Sequence, residues 1–546
     1  MSASSKKKLR REQEAAKLTE RQLTEQKEAK KLNLYTTLFL SVLVVLLVVA
    51  LTVGIANTVK NSGVRERSTT AVTIGNHELS NAELNYYYID AVNNFLSQYG
   101  SYAAMFGLDT TKPLNEQVLD EETGNTWADD FLVNAKENAR GIYALADAAN
   151  AAGFTLSEEE LTQIDYTVSN IGLYATMYGY RDADSYIKAM YGNGATVESY
   201  TEYLTRNMLA DAYHNSYAQG LTYEDADLRA AEADNYSNYS SYSYNYYYIA
   251  ANKYLEGGTE NEEGVLTYSD EEKEAAVTAA KEAADSLALE ELDSIEKFDD
   301  AINLLSINSE AEVSSTACED YLYSSVLSLA SEWITDEART EGDKTVIPST
   351  STSTDADGNE VTTTNGYYVI YFRGSNDNTF PLADVRHILV SFEGGTYDES
   401  TGLTTYTEEE KEAARAAAEE LFNTWKSGDA TEDSFAALAN EKSTDPGSNT
   451  NGGLYEAVYP GQMVDEFETW CFDNRKAGDT GMVETTYGVH IMYYSGDNDT
   501  TYRDFMITND LISEDVMEWY NQLLEATTVT DGNTKYISTD LVVSNG

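Results

Sequence analysis

Cysteine, histidine and positive charge are scarce in this chain. The two cysteines among 546 residues, Cys318 and Cys471, fall in what read as corresponding regions of two separate domains, which argues against a disulfide framework. Of the four histidines, His77 and His214 stand apart from other ligating side chains and read as surface or capping residues. No metal-binding cluster is visible and nothing in the sequence calls for a cofactor. Lysine and arginine number 36 against 93 aspartates and glutamates, a net charge of -57. Ten of the basic residues precede residue 32, so the rest of the chain carries 26 basic and 88 acidic groups. Such a surface repels nucleic acid.

Charge is absent altogether from Leu34 to Ala56, about the ~20 residues that a helix needs to cross a bilayer. The basic residues before this run, among them Lys6, Lys7, Lys8, Arg10, Arg11, Lys30 and Lys31, place the amino terminus in the cytoplasm and the bulk of the chain outside. A cleaved signal peptide is the rival reading, but the basic region is long for one and Gly54-Ile55-Ala56 is a poor cleavage site. No cysteine follows the run to carry a lipid. The expectation is a single transmembrane helix over 34–57, after a basic cytoplasmic segment over 1–33.

Length suggests three or four domains beyond that span. The stretch VTIGNHELS reads as two short strands around Gly75-Asn76, and about 140 residues of helical periodicity come next. Ser157 and Glu160 form a capping box that opens a helix with Leu161, Ile164, Val168 and Ile171 on one face, and Gly153 closes the helix before it. Another helix runs from Ser199 through Leu204, Met208, Leu209 and Tyr213 towards Gly220. The Tyr- and Ser-rich stretch at 235–248 alternates near its end as a strand does.

The second half of the chain is organised by an internal repeat. Tyr268 to Ala276 recurs as Tyr406 to Ala414, each opening a helix with a capping box. Phe298 then matches Phe435, Ser306 matches Ser443 and Trp333 matches Trp470, and GYYVIYF from Gly366 answers GVHIMYY from Gly488. The first copy is longer by a loop in which Asp355-Ala356-Asp357-Gly358-Asn359 looks like the start of a calcium loop. Its twelfth position is Gly366, where a bidentate Glu is needed, and the loop reads as a hairpin turn.

The second copy carries, in order, VRHILV from Val385, FAALA from Phe435, Ser443-Thr444-Asp445, Gly452-Gly453-Leu454, Gly461-Gln462-Met463, Glu466-Phe467, Ala477-Gly478-Asp479 and YGVHI from Tyr487. Together these resemble the parvulin family of peptidyl-prolyl cis/trans isomerases over about 115 residues. The resemblance implies a four-stranded antiparallel sheet wrapped by helices, with the two histidine-bearing strands as central neighbours. It also implies a proline pocket of Leu454, Met463 and Phe467 over a polar floor of His387, Asp445, Thr485 and His490, without metal or cofactor. Met463 and Phe467, four apart, would point the same way on a helical turn. Tyr487 departs from the family pattern, in which a small hydroxyl residue often stands before the last Gly-x-His.

The chemistry agrees. Rotation about an Xaa-Pro bond faces a barrier of ~18–20 kcal/mol from amide resonance, and no bond need break. A dry pocket that grips the ring, with polar groups that favour the twisted amide, suffices. A carboxylate at Asp445 favours a non-covalent mechanism. In the first copy His490 corresponds to Tyr368, Asp445 to Asn308 and His387 falls near Tyr248, so that copy reads as inactive.

The order of an export signal, strands, amphipathic helices and rotamase-like copies is similar to the PrsA and SurA foldases. The fold class expected is therefore α+β: a helical chaperone-like domain over 68–236, a degenerate parvulin-like domain over 240–376, an isomerase domain over 380–497, and a tail over 498–546 with a helix from Ile512 to Leu524. The resemblance implies unfolded, proline-containing exported polypeptides as partners and allows a homodimer. The rival from another class is a surface-displayed holdase or scaffold with catalytically silent rotamase folds, separable by activity on a proline peptide.

Overall fold

The computed structural model describes residues 4–11, 62–260, 265–308, 312–354, 358–398 and 400–541. The expected transmembrane helix over 34–57 and the centre of the 355–359 loop lie outside them. Among the described residues no helix is long and apolar enough to cross a membrane. The chain divides into two units, one ending at Leu221 and resuming at Glu514, the other running from Thr222 to Ser513.

The first unit begins with a hairpin, β1 (Thr70–Ile74) and β2 (His77–Ser80). Gly75 makes the turn at φ 54, a left-handed conformation open to glycine. Ser80 then caps the helix Asn81–Tyr99 in a reciprocal box with Glu83. Helices Trp127–Ala152, Glu158–Met177, Ala183–Tyr191 and Val197–Gly220 come after it. The expected box at Ser157 and Glu160 is present, and Gly153 ends the preceding helix at φ 70. Phe131, Ala135 and Ala139 recur every four residues, so one face of the Trp127 helix is apolar, and it packs on Leu84, Tyr88 and Ile74 in a single core. His77 does not stand alone: its Nε2 lies 2.9 Å from Asp147 Oδ1.

The second unit contains two four-stranded antiparallel sheets with the same strand order. The first has β3 (Ser241–Ala250), β4 (Thr316–Leu322), β5 (Lys344–Thr354) and β6 (Glu360–Asn376) in the order β4-β3-β6-β5. The second has β7 (Pro381–Ser391), β8 (Leu454–Val458), β9 (Thr480–Thr485) and β10 (Gly488–Thr501) in the order β8-β7-β10-β9. In each, helices that open with the repeated capping box, Asp270–Leu287 and Glu408–Ser427, cover one face together with the shorter Ile295–Asn303 and Glu432–Lys442. The opposite face is covered by Ser331–Ile334 in the first sheet and by Asp465–Phe472 in the second. The β5–β6 hairpin pairs out to Thr354 and Glu360, so the lengthened loop of the first copy is a hairpin.

Two expectations need correction. Cys318 and Cys471 do not occupy corresponding places: one lies on β4 and the other on the helix Asp465–Phe472, both buried and unpaired. The tail helix is longer than its apolar face suggested, running from Tyr502 to Ala526, because β10 hands over to it directly. The chain ends its described course in the first unit, where β11 (Val529–Asp531) pairs antiparallel with β1.

Candidate active site

The two histidine-bearing strands, β7 and β10, are neighbours, and their register sets His387 opposite Met492 and His490 opposite Leu389. Both imidazoles project from one sheet face, 3 % and 5 % exposed, with their Nδ1 atoms 2.9 Å apart. The loop that carries Asp445 is stitched to β7. Thr444 N–H donates to Leu389 O at 2.9 Å, and Ser443 Oγ accepts Leu389 N–H at 3.1 Å. That places Asp445 Oδ2 2.9 Å from His387 Nε2. At the other end Thr485 Oγ1 lies 2.9 Å from His490 Nε2 and accepts the Tyr487 N–H at 3.1 Å. The four polar residues expected from the sequence thus form one continuous line.

Its proton order is set by the ends. A carboxylate can only accept, so His387 Nε2–H donates to Asp445. With both rings neutral, His387 Nδ1 accepts from His490 Nδ1–H and His490 Nε2 accepts from the Thr485 hydroxyl. Burial, and then the neighbouring His387, push His490 down from 6.5 to about 4, so it stays neutral at physiological pH. The hydrogen bond from His387, joined by Ser448 and Tyr455, holds Asp445 well below the usual carboxylate range. The line is a set of dipoles whose direction the Asp445 carboxylate fixes.

The apolar wall differs in detail from its expected form. Phe467 is buried with its ring edge-on to both imidazoles, at 5.3 and 5.4 Å. Met463 shares its cluster with Val385, Val458 and Met492. Met463 precedes the helix Asp465–Phe472, however, so the two side chains meet through the loop before that helix and not along a helical turn. Leu454 is placed elsewhere: on β8 it opposes Arg386, whereas Tyr455 opposes Val385. Opposed residues point to one face. Arg386 reaches Glu432 Oε1 at 2.8 Å and Gly452 O at 3.1 Å on the side away from His387, and Leu454 goes with it. Tyr455 is the β8 residue on the histidine face, its ring 5.4 Å from that of His387 and its hydroxyl 3.0 Å from Asp445 Oδ2. Ser448, fully buried, lies 3.1 Å from His387 Nε2 and also donates to Asp445. Sequence reasoning missed both. The count from Gly453 is off by one residue because alternate strand residues change face, and Ser448 carries no signal besides its closeness to Asp445.

Gly453 shows why the backbone must come this close. It sits at φ 70, and a Cβ there would lie 2.1 Å from the His387 carbonyl oxygen, while its own carbonyl accepts His387 N–H at 2.8 Å. Only glycine lets β8 begin against the strand that bears the histidine.

In the first sheet Tyr368 opposes Tyr248, and Tyr246 opposes Ile370. With Tyr368 in the place of His490, the register puts Tyr246, and not Tyr248, in the place of His387. The three rings cluster, Tyr368 being 5.8 Å from Tyr246 and 4.7 Å from Tyr248. Asn308, the counterpart of Asp445, accepts from the Tyr247 hydroxyl at 3.0 Å, a neighbour in sequence that alternation turns to the other face.

Residues 367–496 match the family model of the PPIC-type PPIASE domain. The match starts earlier than the expected boundary at 380: its first ten residues lie in β6, which is hydrogen-bonded within the first sheet. Foldase protein PrsA 1 of Listeria innocua is 34% identical over 113 residues, 20% of this chain and 30% of that protein. Foldase protein PrsA 3 of Bacillus cereus is 45% identical over 58 residues, 11% of this chain and 20% of that protein. The chain therefore spans less than a third of the length of these relatives. The crystal structure of the peptidylprolyl isomerase PrsA from Bacillus cereus, at 27% identity, covers 27% of this chain and 49% of its own, with a TM-score of 0.17.

Proposed function

We propose that this chain is an extracytoplasmic peptidyl-prolyl cis/trans isomerase and foldase of the PrsA kind. The observation that carries the reading is the buried line Thr485–His490–His387–Asp445 beneath Phe467 and Met463, inside the region that matches the isomerase family. Phe467, Met463 and Tyr455 grip the proline ring and exclude water, while the neutral imidazole pair presents fixed dipoles to the amide. A twisted amide has lost its resonance, so its carbonyl and nitrogen polarise differently from the planar ground state. Dipoles that do not have to reorganise favour it.

The isomerase domain extends over about 380–497, and the first sheet belongs to a degenerate copy over 240–376 without isomerase activity. The helical region over 68–236 serves unfolded, proline-containing exported chains, a role open to a single molecule and to a homodimer alike, and the tail over 498–546 closes back on it. The uncharged run from Leu34 to Ala56 anchors the chain in the membrane, with residues 1–33 in the cytoplasm and the bulk outside.

The test is isomerisation of a short proline peptide by the full chain. His490→Ala and Met463→Ala should each lower kcat/KM by about tenfold or more, a loss of ~1.4 kcal/mol of transition-state stabilisation. A wild-type chain with no activity, indistinguishable from both variants, would establish the holdase or scaffold alternative instead.

A further inference from the structure

We infer that Tyr455 is a positioning residue of this site, its phenol holding the Asp445 carboxylate against His387 and its ring forming the wall that the sequence motif assigns to Leu454. The consequence for turnover rests on the isomerase reading above, but the geometry does not. Three donors converge on Asp445 Oδ2: His387 Nε2–H at 2.9 Å, the Tyr455 hydroxyl at 3.0 Å and the Ser448 hydroxyl. Oδ1 takes the Gly447 N–H at 3.3 Å. Ser448 is fully buried and Tyr455 half-buried, so Tyr455 supplies the hydroxyl on the open side of the site.

The chain also makes room for it. A Cβ on Gly447 would lie 2.6 Å from the Tyr455 hydroxyl oxygen, so a side chain there would drive the phenol off the carboxylate. Tyr455 and Gly447 are thus two halves of one arrangement, eight residues apart and joined through Asp445.

Each donor stabilises the anion, and withdrawing one leaves the carboxylate more basic and the imidazole pair beside it readier to take up a proton. The groups facing that pair are Asp445 and Ser448 from the loop after the Glu432–Lys442 helix, Tyr455 from β8, Thr485 from β9 and the apolar Phe467 from the Asp465–Phe472 helix. Only Asp445 and Tyr455 among them ionise. Burial, and then Asp445, push the Tyr455 phenol up to about 12, so it remains a donor at and below physiological pH.

The chain has four histidines, few enough to follow individually by nitrogen NMR on the full chain in detergent micelles with isotope-labelled histidine. In Tyr455→Phe the His387–His490 pair should take up its proton at higher pH, by about half a pH unit, with His77 and His214 unmoved. Gly447→Ala should shift the pair in the same direction. Tyr397→Phe, at an exposed hairpin, should shift nothing. In the isomerase assay Tyr455→Phe should lower kcat about threefold with KM kept, since the ring stays. A titration of the pair that superimposes on wild type in Tyr455→Phe overturns the inference, and so does an equal shift of all four histidines. A wild-type chain without isomerase activity removes the isomerase reading alone, because the NMR titration still decides what Tyr455 does.

Discussion

The two sheets of the second unit share a strand order and a repeated capping box, yet one buries a polar line on its face and the other carries a half-buried cluster of tyrosines. The difference teaches how little of a fold a site needs. The cores between sheet and helices are alike in kind, with Phe298, Val369 and Ile249 in one and Phe435, Ile491 and Ile388 in the other, all fully or nearly fully buried. On the opposite face, Tyr246 and Tyr368 replace two histidines, and Asn308 turns away from the place that Asp445 holds. A buried imidazole needs a partner for each nitrogen. Ser349 opposes Gly366 as Thr485 opposes Gly488, so the hydroxyl end has a counterpart. Without a carboxylate at the other end, an aromatic phenol satisfies that half-buried face at lower cost.

The largest expected effect that sharpens this contrast is at Gly453. Gly453→Ala forces a left-handed alanine and a methyl against the His387 carbonyl, and should cost about 4 kcal/mol or more, the range of forced backbone clashes. Chemical denaturation of the second sheet reads it. A loss under about 0.5 kcal/mol, the level of a neutral surface change, would show that β8 need not approach β7 so closely. The next effect concerns pH. His490 has a folded value of about 4 against 6.5, so below 6.5 the unfolded chain binds the proton that the fold refuses. The stabilisation is complete above 6.5 and is lost as pH falls towards 4, by about 3 kcal/mol at most. Asp445, also depressed, is lost in the same direction at lower pH. Tyr368 is raised by burial and stays neutral throughout, so the first sheet should show no such slope. Denaturation between pH 4 and 7 checks this, and His490→Gln should flatten the curve for the second sheet.

Much of this was legible in the sequence because it rests on local signals. The repeat, the capping boxes at Ser269 and Thr407 and the turn at Gly75 come from spacing and alternation, whereas the pairing of the two histidine strands was implied by the family resemblance. The polar line was legible from motif order. The rest depends on register across strands: a one-residue count decides whether Leu454 or Tyr455 meets His387, and a two-residue count decides between Tyr246 and Tyr248. Ser448 and the role of Gly447 emerge only when a loop is folded back on Asp445, which no periodicity describes. The long tail helix was shortened in the reading because its first turn, at Tyr502 and Arg503, is buried by contacts distant in sequence.

Thr485 marks a smaller step. Thr485→Val keeps the shape but leaves His490 Nε2 without its donor, which should cost about 1–2 kcal/mol and lower isomerase activity, whereas the same change at an exposed threonine of the first sheet such as Thr352 should be neutral. Equal melting of the two variants would remove Thr485 from the line.

The smallest expected effect is the most pointed. If the first sheet lacks activity merely because two residues changed, Tyr246→His with Tyr368→His, made in a His490→Ala background, should restore turnover of a proline peptide. The geometry predicts that it does not. The two new imidazoles would have no carboxylate, because the only nearby counterpart, Asn308, is committed to the Tyr247 hydroxyl and the Ile302 carbonyl on the other face. They would also lack the Phe467 ring, because by the match of Trp333 with Trp470 Ala330 stands in its place. A half-buried imidazole short of partners costs less than the ~1–3 kcal/mol of a fully buried unsatisfied group, so the double variant should be slightly less stable and no more active than its parent. Recovery to within about tenfold of the wild-type rate, or ~1.4 kcal/mol in transition-state stabilisation, would mean that the histidine pair alone is sufficient and that the Asp445 carboxylate, the aromatic wall and the Gly453 approach are accessories of one sheet.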